Sequence, residues 1–471
     1  MLLDRRNLVA AAGAGLMAHA GASAAAGTQP ADKAPADRAM PADLGLALKP
    51  GSDVAAVLQA AIDQSASRGV GVRLPPGSYA VGRPLLLRPG TALSGSLGAT
   101  RLVLANGAGL IGQAADAIRI EDLVLDGADF ALDSARGIEG LLSLDTCADV
   151  RLRGLVVQNS GGHGLALKGV SGSVTSCRIN GARLAGLSSL DGKGLEIAHN
   201  VVRDCGDNGI LVWTTKPMEC GTIVQANRIE RIAARSGGTG QNGNGINVYR
   251  ATGVLVANNR ISDCAYTAIR GNAASNIQMI ANSCARLGEV ALYAEFGFEG
   301  ALIANNLVDT AAAGISVTNF NEGGRLAVIQ GNLIRNLTRR EHEPEDKRGE
   351  GIAVEADSIV TGNVIESAPT AGIFIGWGRH MRDVSATGNL VRNCGIGIAV
   401  QVEPAAAGTG RWLDGATDKS ATRVILADNM ISGARNGAIR TLRHHAAFGA
   451  DLARRASNPF AHITCTGNVA T

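Results

Sequence analysis

The 471-residue chain carries 44 Lys and Arg against 41 Asp and Glu, a formal net charge of +3 with no basic stripe, so nothing in its charge calls for a nucleic-acid or acidic-membrane partner. Hydrophobic residues make up 46% but aromatics only 3%, so a core must be built from Val, Ile, Leu and Ala, while 62 glycines punctuate short elements. A chain of this length ordinarily divides into domains unless it is a repeat array, which lengthens without enlarging its core cross-section.

Residues 1–26 read as an export signal. Asp4-Arg5-Arg6-Asn7-Leu8-Val9 puts two arginines ahead of a weakly apolar Ala/Gly/Leu run, and Ala22-Ser23-Ala24 supplies small residues for cleavage. The paired arginines resemble a twin-arginine (Tat) signal, with Asp4 where Ser or Thr is usual and Leu8 where Phe is usual. An ordinary secretory signal is the alternative. Leu8 to Ala26 is too rich in Gly and Ala for a membrane span. Residues 27–42, rich in Ala, Pro and Asp, read as a linker. The expectation is an exported protein, periplasmic or secreted, handled by the Tat export machinery and without a stable membrane span once mature.

Residues 43–121 read as an end cap and first coils. Asp53 to Asp63 has helical periodicity, with Val54, Val57, Leu58, Ala61 and Ile62 on one face and Ser52 or Asp53 placed to cap its first turn. Gly71 to Val81, interrupted by Pro75-Pro76-Gly77, reads as strand, turn, strand; Leu85-Leu86-Leu87 and Thr91-Ala92-Leu93-Ser94-Gly95 read as further strands. An amphipathic helix here can cover an open core and an unpaired strand edge.

From 122 to 471 one phrase recurs, weakly at first and regularly from Gly154. It is cleanest from Asn259 to Asn282, and copies begin at Asn200, Asn227, Asn259, Asn282, Asn306, Asn332, Asn363, Asn389, Asn429 and Asn468. A typical spacing of about 23 residues suits a coil of three short strands. Gly154 and Cys177 take the asparagine's place in early copies. An asparagine at a tight turn tolerates left-handed backbone and can bond its counterpart in the next coil, so these residues are expected to form a structural ladder. Cys205, Cys264 and Cys394 each sit five residues after a turn asparagine, which places them in a buried stack. With eight cysteines and no Cys-x-x-Cys, no zinc site is expected. The even count leaves disulfides open in an exported protein.

Within each copy one strand reads Gly or Ala, apolar, variable, apolar, variable, as in Gly209-Ile210-Leu211-Val212-Trp213 and Gly245-Ile246-Asn247-Val248-Tyr249. Strand alternation sends the apolar pair inward and the variable pair outward. On these residues the chain from about Asp43 onward resembles the pectate-lyase-like superfamily. The helix followed by Leu74-Pro75-Pro76-Gly77-Ser78-Tyr79 resembles that superfamily's cap. The twin-arginine start together with this repeat is similar to the family of Tat-translocated repetitive parallel β-helix proteins, whose activity is not established. The fold the resemblance implies is an all-β solenoid: a single-stranded right-handed parallel β-helix with an Asn ladder and an N-terminal helical cap.

The resemblance also implies a substrate path along the outer face of one strand stack, here the Gly-Ile-x-Val stack. Its outward residues run Ala166 and Lys168, Leu211 and Trp213, Asn247 and Tyr249, Arg270 and Asn272, Tyr293 and Glu295, Ser316 and Thr318, Ala353 and Glu355, Phe374, then Ala399 and Gln401. Polar, aromatic and charged groups concentrate between Trp213 and Glu355. Insertions at 233–244 and 337–350 enter this strand from one side, and those at 214–221, 319–324, 404–421 and 442–462 leave on the other. Two loop walls over a polar floor predict a groove for an extended chain.

A polysaccharide or other glycan fits such a groove. Trp213, Tyr249 and Tyr293 are placed to stack on sugar rings, and Arg270 to pair with a uronate carboxylate. Asn247, Asn272 and His342 are further candidates for substrate contact. The catalytic candidates are Arg270, Tyr293, Glu295 and Glu355. Two strand spacings put the two glutamates about 9–10 Å apart, near the separation an inverting glycosidase needs. In a lyase or epimerase, Arg270 would neutralise the acid while Tyr293 or Glu295 moved the proton. The plain alternative for each residue is a cross-coil pair such as Arg270 with Glu295. No cofactor is identified. No metal ligand is assigned, although a bound ion stays open. Gly238 to Gly243 fits Gly-x-Gly-x-x-Gly but opens no helix, so it is no dinucleotide fingerprint. Two readings follow: an exported polysaccharide lyase, hydrolase or epimerase, or a non-catalytic β-helix that binds glycan or another envelope component.

Overall fold

The computed structural model describes residues 43–46, 48–238, 240–318, 324–340, 348–376, 381–403, 423–443, 446–448, 450–454 and 463–471. The signal, the linker and His342 lie outside them. Each turn of the chain contributes one short strand to each of three sheets. One coil consists of Leu255–Ala257 in the first sheet, Arg260–Cys264 in the second and Ile269–Asn272 in the third. The first sheet has 16 strands and the others 15 each, every strand hydrogen-bonded to its counterparts in the coils before and after. Pairing is parallel throughout until Ile439–Arg443, which meets Ala446–Phe448 antiparallel at the far end. The fold is a right-handed parallel β-helix, and its core is one continuous aliphatic column running from Val54 to Ile463.

The recurring glycine has a steric cause. Gly245 begins its third-sheet strand so close to the next coil that a Cβ there would lie 2.8 Å from the Ala268 carbonyl oxygen and 2.5 Å from Ile261 Cγ2. Coils stacked at strand spacing leave no room for a side chain at that corner.

The asparagines form a continuous ladder at the turn between the first and second sheets. Asn259 is typical: its backbone N–H and its Nδ2 both donate to Asn282 Oδ1 at 3.0 Å, and Nδ2 also donates to the Val224 carbonyl at 2.9 Å. The pattern starts with Cys177 N–H donating to Asn200 Oδ1 and repeats through Asn227, Asn259, Asn282, Asn306, Asn332, Asn363, Asn389 and Asn429 to Asn468. From Asn200 to Asn429 no member is more than 2% exposed. One detail of the expectation is corrected. The left-handed residue is the one before each asparagine: His199, Ala226, Asn258, Ala281, Asn305 and Asp428 have φ between 53° and 59°, and glycine takes the place at Gly331, Gly362, Gly388 and Gly467. That residue makes the corner, which frees the asparagine to point inward in ordinary backbone.

The cap is the helix Ala55–Arg68, which buries Ala55, Leu58, Ala61, Ile62 and Ser65. Val57, expected on that face, is 51% exposed, because the buried stripe turns past it toward Ser65. Asp53 accepts the Ala55 N–H at 2.9 Å. Gln59 replaces a missing strand: its Nε2 donates to the Leu86 carbonyl at 3.0 Å and its Oε1 accepts the Leu86 N–H at 2.7 Å. Leu86 lies in Leu85–Leu87, the first strand of the third sheet, so this amide pairs part of an edge that would otherwise be open.

All eight cysteines are free thiols, and seven are buried. Burial pushes the Cys177, Cys205 and Cys284 thiols up to about 12 and the half-buried Cys465 up to about 11. Thiols held that high present almost no thiolate near neutrality. Two measurements follow. In native protein at pH 8 an aromatic disulfide reagent should titrate Cys465 ahead of the rest, with all eight thiols reacting only in denaturant. Asn282→Ala strips the acceptor from two buried Asn259 donors, and should lower unfolding free energy in urea by on the order of 3 kcal/mol. Asn468→Ala, at the half-buried end of the ladder, should cost less.

Candidate functional site

The outer face of the third sheet is held in register by its ladder. Leu211, Asn247, Arg270, Tyr293, Ser316, Ala353, Phe374 and Ala399 are successive partners in one column, and the column continues to Arg440. Trp213, Tyr249, Asn272 and Glu295 are successive partners in a second. The insertion at 233–244 approaches this face from the second sheet, and the long strands Asn208–Glu219 and Asn244–Thr252 run past its other edge.

Arg270, Tyr293 and Glu295 come together as expected, but as a packed cluster. Arg270 is 7% exposed, Tyr293 and Glu295 1% each. Arg270 Nε donates to Glu295 Oε1 at 2.6 Å, Arg270 Nη2 reaches the same oxygen, and Asn272 Nδ2 adds a third bond at 3.1 Å. The guanidinium lies over the Tyr293 ring, 5.5 Å from its centroid, and Thr318 Oγ1 donates to the Tyr293 hydroxyl at 3.4 Å. Gly240, with φ at +125°, presses onto Arg270 Nη1 so closely that a Cβ would collide with it. Glu355 is 2% exposed. It directly follows the strand Glu350–Val354, which pairs with Ala313–Val317, which in turn pairs with the strand of Glu295, so two ladder rungs separate the glutamates. The expectation of an open floor is therefore corrected at its centre. The inserted loop covers it, and Arg270 and Glu295 neutralise each other there.

The accessible polar part lies to one side. Trp213 and Tyr249 are half-buried and meet edge to face, with centroids 5.8 Å apart and planes at 67°. Arg250 sits over the other ring, 4.8 Å from the Tyr249 centroid, and its Nη1 donates to the Thr215 carbonyl at 3.2 Å. Thr215 is in turn fastened to Asp191 through its N–H at 2.7 Å and its hydroxyl. The pair thus stands on a rigid wall. Asn272 is half-buried beside it. Asn247, 3% exposed, is occupied by the insert, its Nδ2 donating to the Gln241 carbonyl at 3.1 Å.

Sequence reasoning did not bring four arginines together, Arg339 and Arg348 having read as charges of a solvated loop. Arg339, Arg348, Arg435 and Arg440 line a cavity of about 590 Å³ at the C-terminal end of the same face, with Glu350, Thr370, Asn436, Phe374, Ala399 and Leu442. A signal existed. Ala438-Ile439-Arg440 repeats the phrase Ala268-Ile269-Arg270 in the same register, one coil beyond Gln401 where the outward column had been ended.

Residues 219–396 match the family model described as right handed beta helix region, and residues 100–285 match that described as periplasmic copper-binding protein (NosD). Comparison with curated proteins gives no match. Among solved structures, the catalytic unit of a thermostable GH87 alpha-1,3-glucanase from Streptomyces thermodiastaticus shares 15% identity over 92% of this chain and 70% of its own, at a TM-score of 0.46. The A-module of the Azotobacter vinelandii mannuronan C-5 epimerase AlgE6 shares 16% over 90% of this chain and 97% of its own, at 0.39. PfbA, a surface adhesin of Streptococcus pneumoniae, shares 12% over 82% and 90%, at 0.47. Superpositions this loose carry no argument about chemistry.

A buried charge pair and a reactive pair respond differently to substitution. Arg270→Ala leaves Glu295 charged and uncompensated, and should cost about 3–5 kcal/mol in chemical denaturation. The apolar pair Arg270→Met with Glu295→Leu should recover most of that loss.

Proposed function

We propose that this right-handed parallel β-helix protein, one of the pectate-lyase-like group, is an exported glycan-binding protein whose ligand lies along the outer face of the third sheet. One observation carries the reading: the half-buried Trp213–Tyr249 pair, fastened by Arg250 and Thr215, offers an accessible aromatic surface on that face. Aromatic faces on a rigid wall suit the apolar faces of sugar rings, and Asn272 beside them offers an amide to ring hydroxyls. Export is supported by the paired Arg5 and Arg6 and by the word periplasmic in the matching family's description. Among the described residues no helix is long and apolar enough to cross a membrane. Among the described residues no three of His, Cys, Asp and Glu lie together, and the thiols are buried.

A second reading, a polysaccharide lyase, hydrolase or epimerase, draws support from the two-rung spacing of Glu295 and Glu355. It requires ligand to displace the loop around Gly240 and part Arg270 from Glu295. Burial of the candidate acids and bases favours binding over turnover.

The test is a panel of neutral and acidic polysaccharides, followed by affinity electrophoresis, reducing-end assay and absorbance of unsaturated products. Trp213→Ala and Tyr249→Ala should each weaken glycan retention at least tenfold while leaving the melting transition in place. Retention equal to that of the parent protein would sink the reading. Turnover lost in Glu295→Gln, with the fold intact, would establish the enzyme instead.

A further inference from the structure

Several arginines on the surface of this solenoid are met by a carboxylate one coil away: Arg231 with Asp204, Arg286 with Asp263, Arg335 with Asp309, and Arg382 with Asp357. The guanidinium holds Asp204 and Asp263 below the usual carboxylate range, and the Asn336 amide together with Arg335 does the same for Asp309. Arg339 and Arg435 have no such partner among the described residues. Arg339 bonds the Thr370 hydroxyl at 3.2 Å and the Pro369 carbonyl at 3.1 Å, and Arg435 bonds the Asn393 and Pro369 carbonyls at 3.5 Å. Two exposed guanidiniums therefore converge on one carbonyl, with neutral acceptors only.

They converge at the mouth of a cavity. Half-buried Arg348 and Arg440 line it as well, so among the described residues four guanidiniums and one carboxylate, that of Glu350, surround about 590 Å³. Arg440 is positioned by the strand ladder, next to Ala399 and two rungs from Phe374. The floor is apolar, made of Phe374, Ala399 and Leu442, and all three are buried. A concave site with an apolar floor and excess guanidinium at its walls matches an anionic ligand with a hydrocarbon or sugar-ring face. Arg339 and Arg435, bonded to neutral acceptors and converging on one carbonyl, repel each other, and an oxyanion between them removes that cost.

We propose that this cavity is an anion-recognising subsite that takes an acidic sugar residue, its carboxylate or sulfate ester among Arg339, Arg435 and Arg440 and its ring against the Phe374 floor. The sugar part of the assignment rests on the glycan reading above, whereas the anion part does not. The strand of Phe374 lies five rungs beyond that of Tyr249, so one extended chain about 24 Å long reaches both places along the face.

The test uses the mature protein and four probes in calorimetry: glucuronate, glucose 6-sulfate, glucose and inorganic sulfate. The two acidic sugars should bind, glucose should not, and Arg435→Ala and Arg339→Ala should each weaken the acidic sugars at least tenfold. Both side chains are exposed, so unchanged melting curves verify the fold. Arg435→Lys should recover part of the affinity. Inorganic sulfate binding as tightly as the acidic sugars would reduce the site to an anion hole and remove the sugar from the assignment. Equal binding of glucose and glucuronate, or arginine variants that bind like the parent, would overturn it. So would binding that emerges only after Glu341, Glu343 and Glu345 are changed to Gln, since the chain's own acids would then hold the arginines. Trp213→Ala separates this from the glycan reading: it should weaken long neutral and acidic polymers alike and leave the monosaccharide acids untouched.

Discussion

Everything in this molecule depends on stacking coils at strand spacing without leaving a polar group unmatched at the corners. A strand interior solves that problem by itself, because each backbone N–H finds a carbonyl in the next coil. A corner does not. At the turn between the first and second sheets, the asparagine amide supplies both an acceptor for the preceding coil and a donor for a carbonyl within the stack. One side chain therefore closes both sides of the turn, and its neighbours repeat the arrangement. The left-handed residue ahead of it is tolerated at positions such as Ala226 and Ala281 because the ladder over-determines the corner.

That periodic constraint sets what the outer face can do. The ladder fixes which residues become neighbours, so a run of unrelated coils builds columns of side chains in strict register. Arg270, Tyr293 and Glu295 meet because their strands are consecutive, and the same geometry lets Gly240 close over them. A charge pair that is covered and mutually neutralised contributes local order at the price of reactivity. Function then has to be sought where the periodic matching fails. The half-buried aromatics at Trp213 and Tyr249 are one such place, and Arg339 and Arg435, with no acid one coil away among the described residues, are another.

The reach of sequence reasoning follows the same division. Strand period, turn asparagines and recurring glycines are local or periodic signals, and they carried the architecture as far as which residue of each coil faces outward. The position of the left-handed residue was missed by one, because the ladder bond and the corner were credited to the same asparagine. Exposure was misjudged for a different reason. Whether Arg270 sees solvent depends on how an insertion of low complexity folds back, and no period encodes that. The arginine cavity was missed because its members come from separate insertions, Arg339 and Arg348 on one and Arg435 and Arg440 on another stretch of chain. Each read alone as ordinary surface charge. Only Arg440, inside the repeat phrase, could have been placed.

The arginines gathered at one end of this face also bear on how the face would be used. Cross-coil pairs such as Arg231 with Asp204 are exposed and contribute little to stability, but they cancel the field that a column of arginines would otherwise produce. Where such pairing is absent, as at Arg339 and Arg435 among the described residues, the guanidiniums add positive potential near Phe374. An acidic chain approaching this face would then meet its strongest attraction at one end and its aromatic contacts at the other, some five rungs apart. Such a separation gives the ligand a direction along the helix, which neither a uniformly basic groove nor a purely aromatic one would impose.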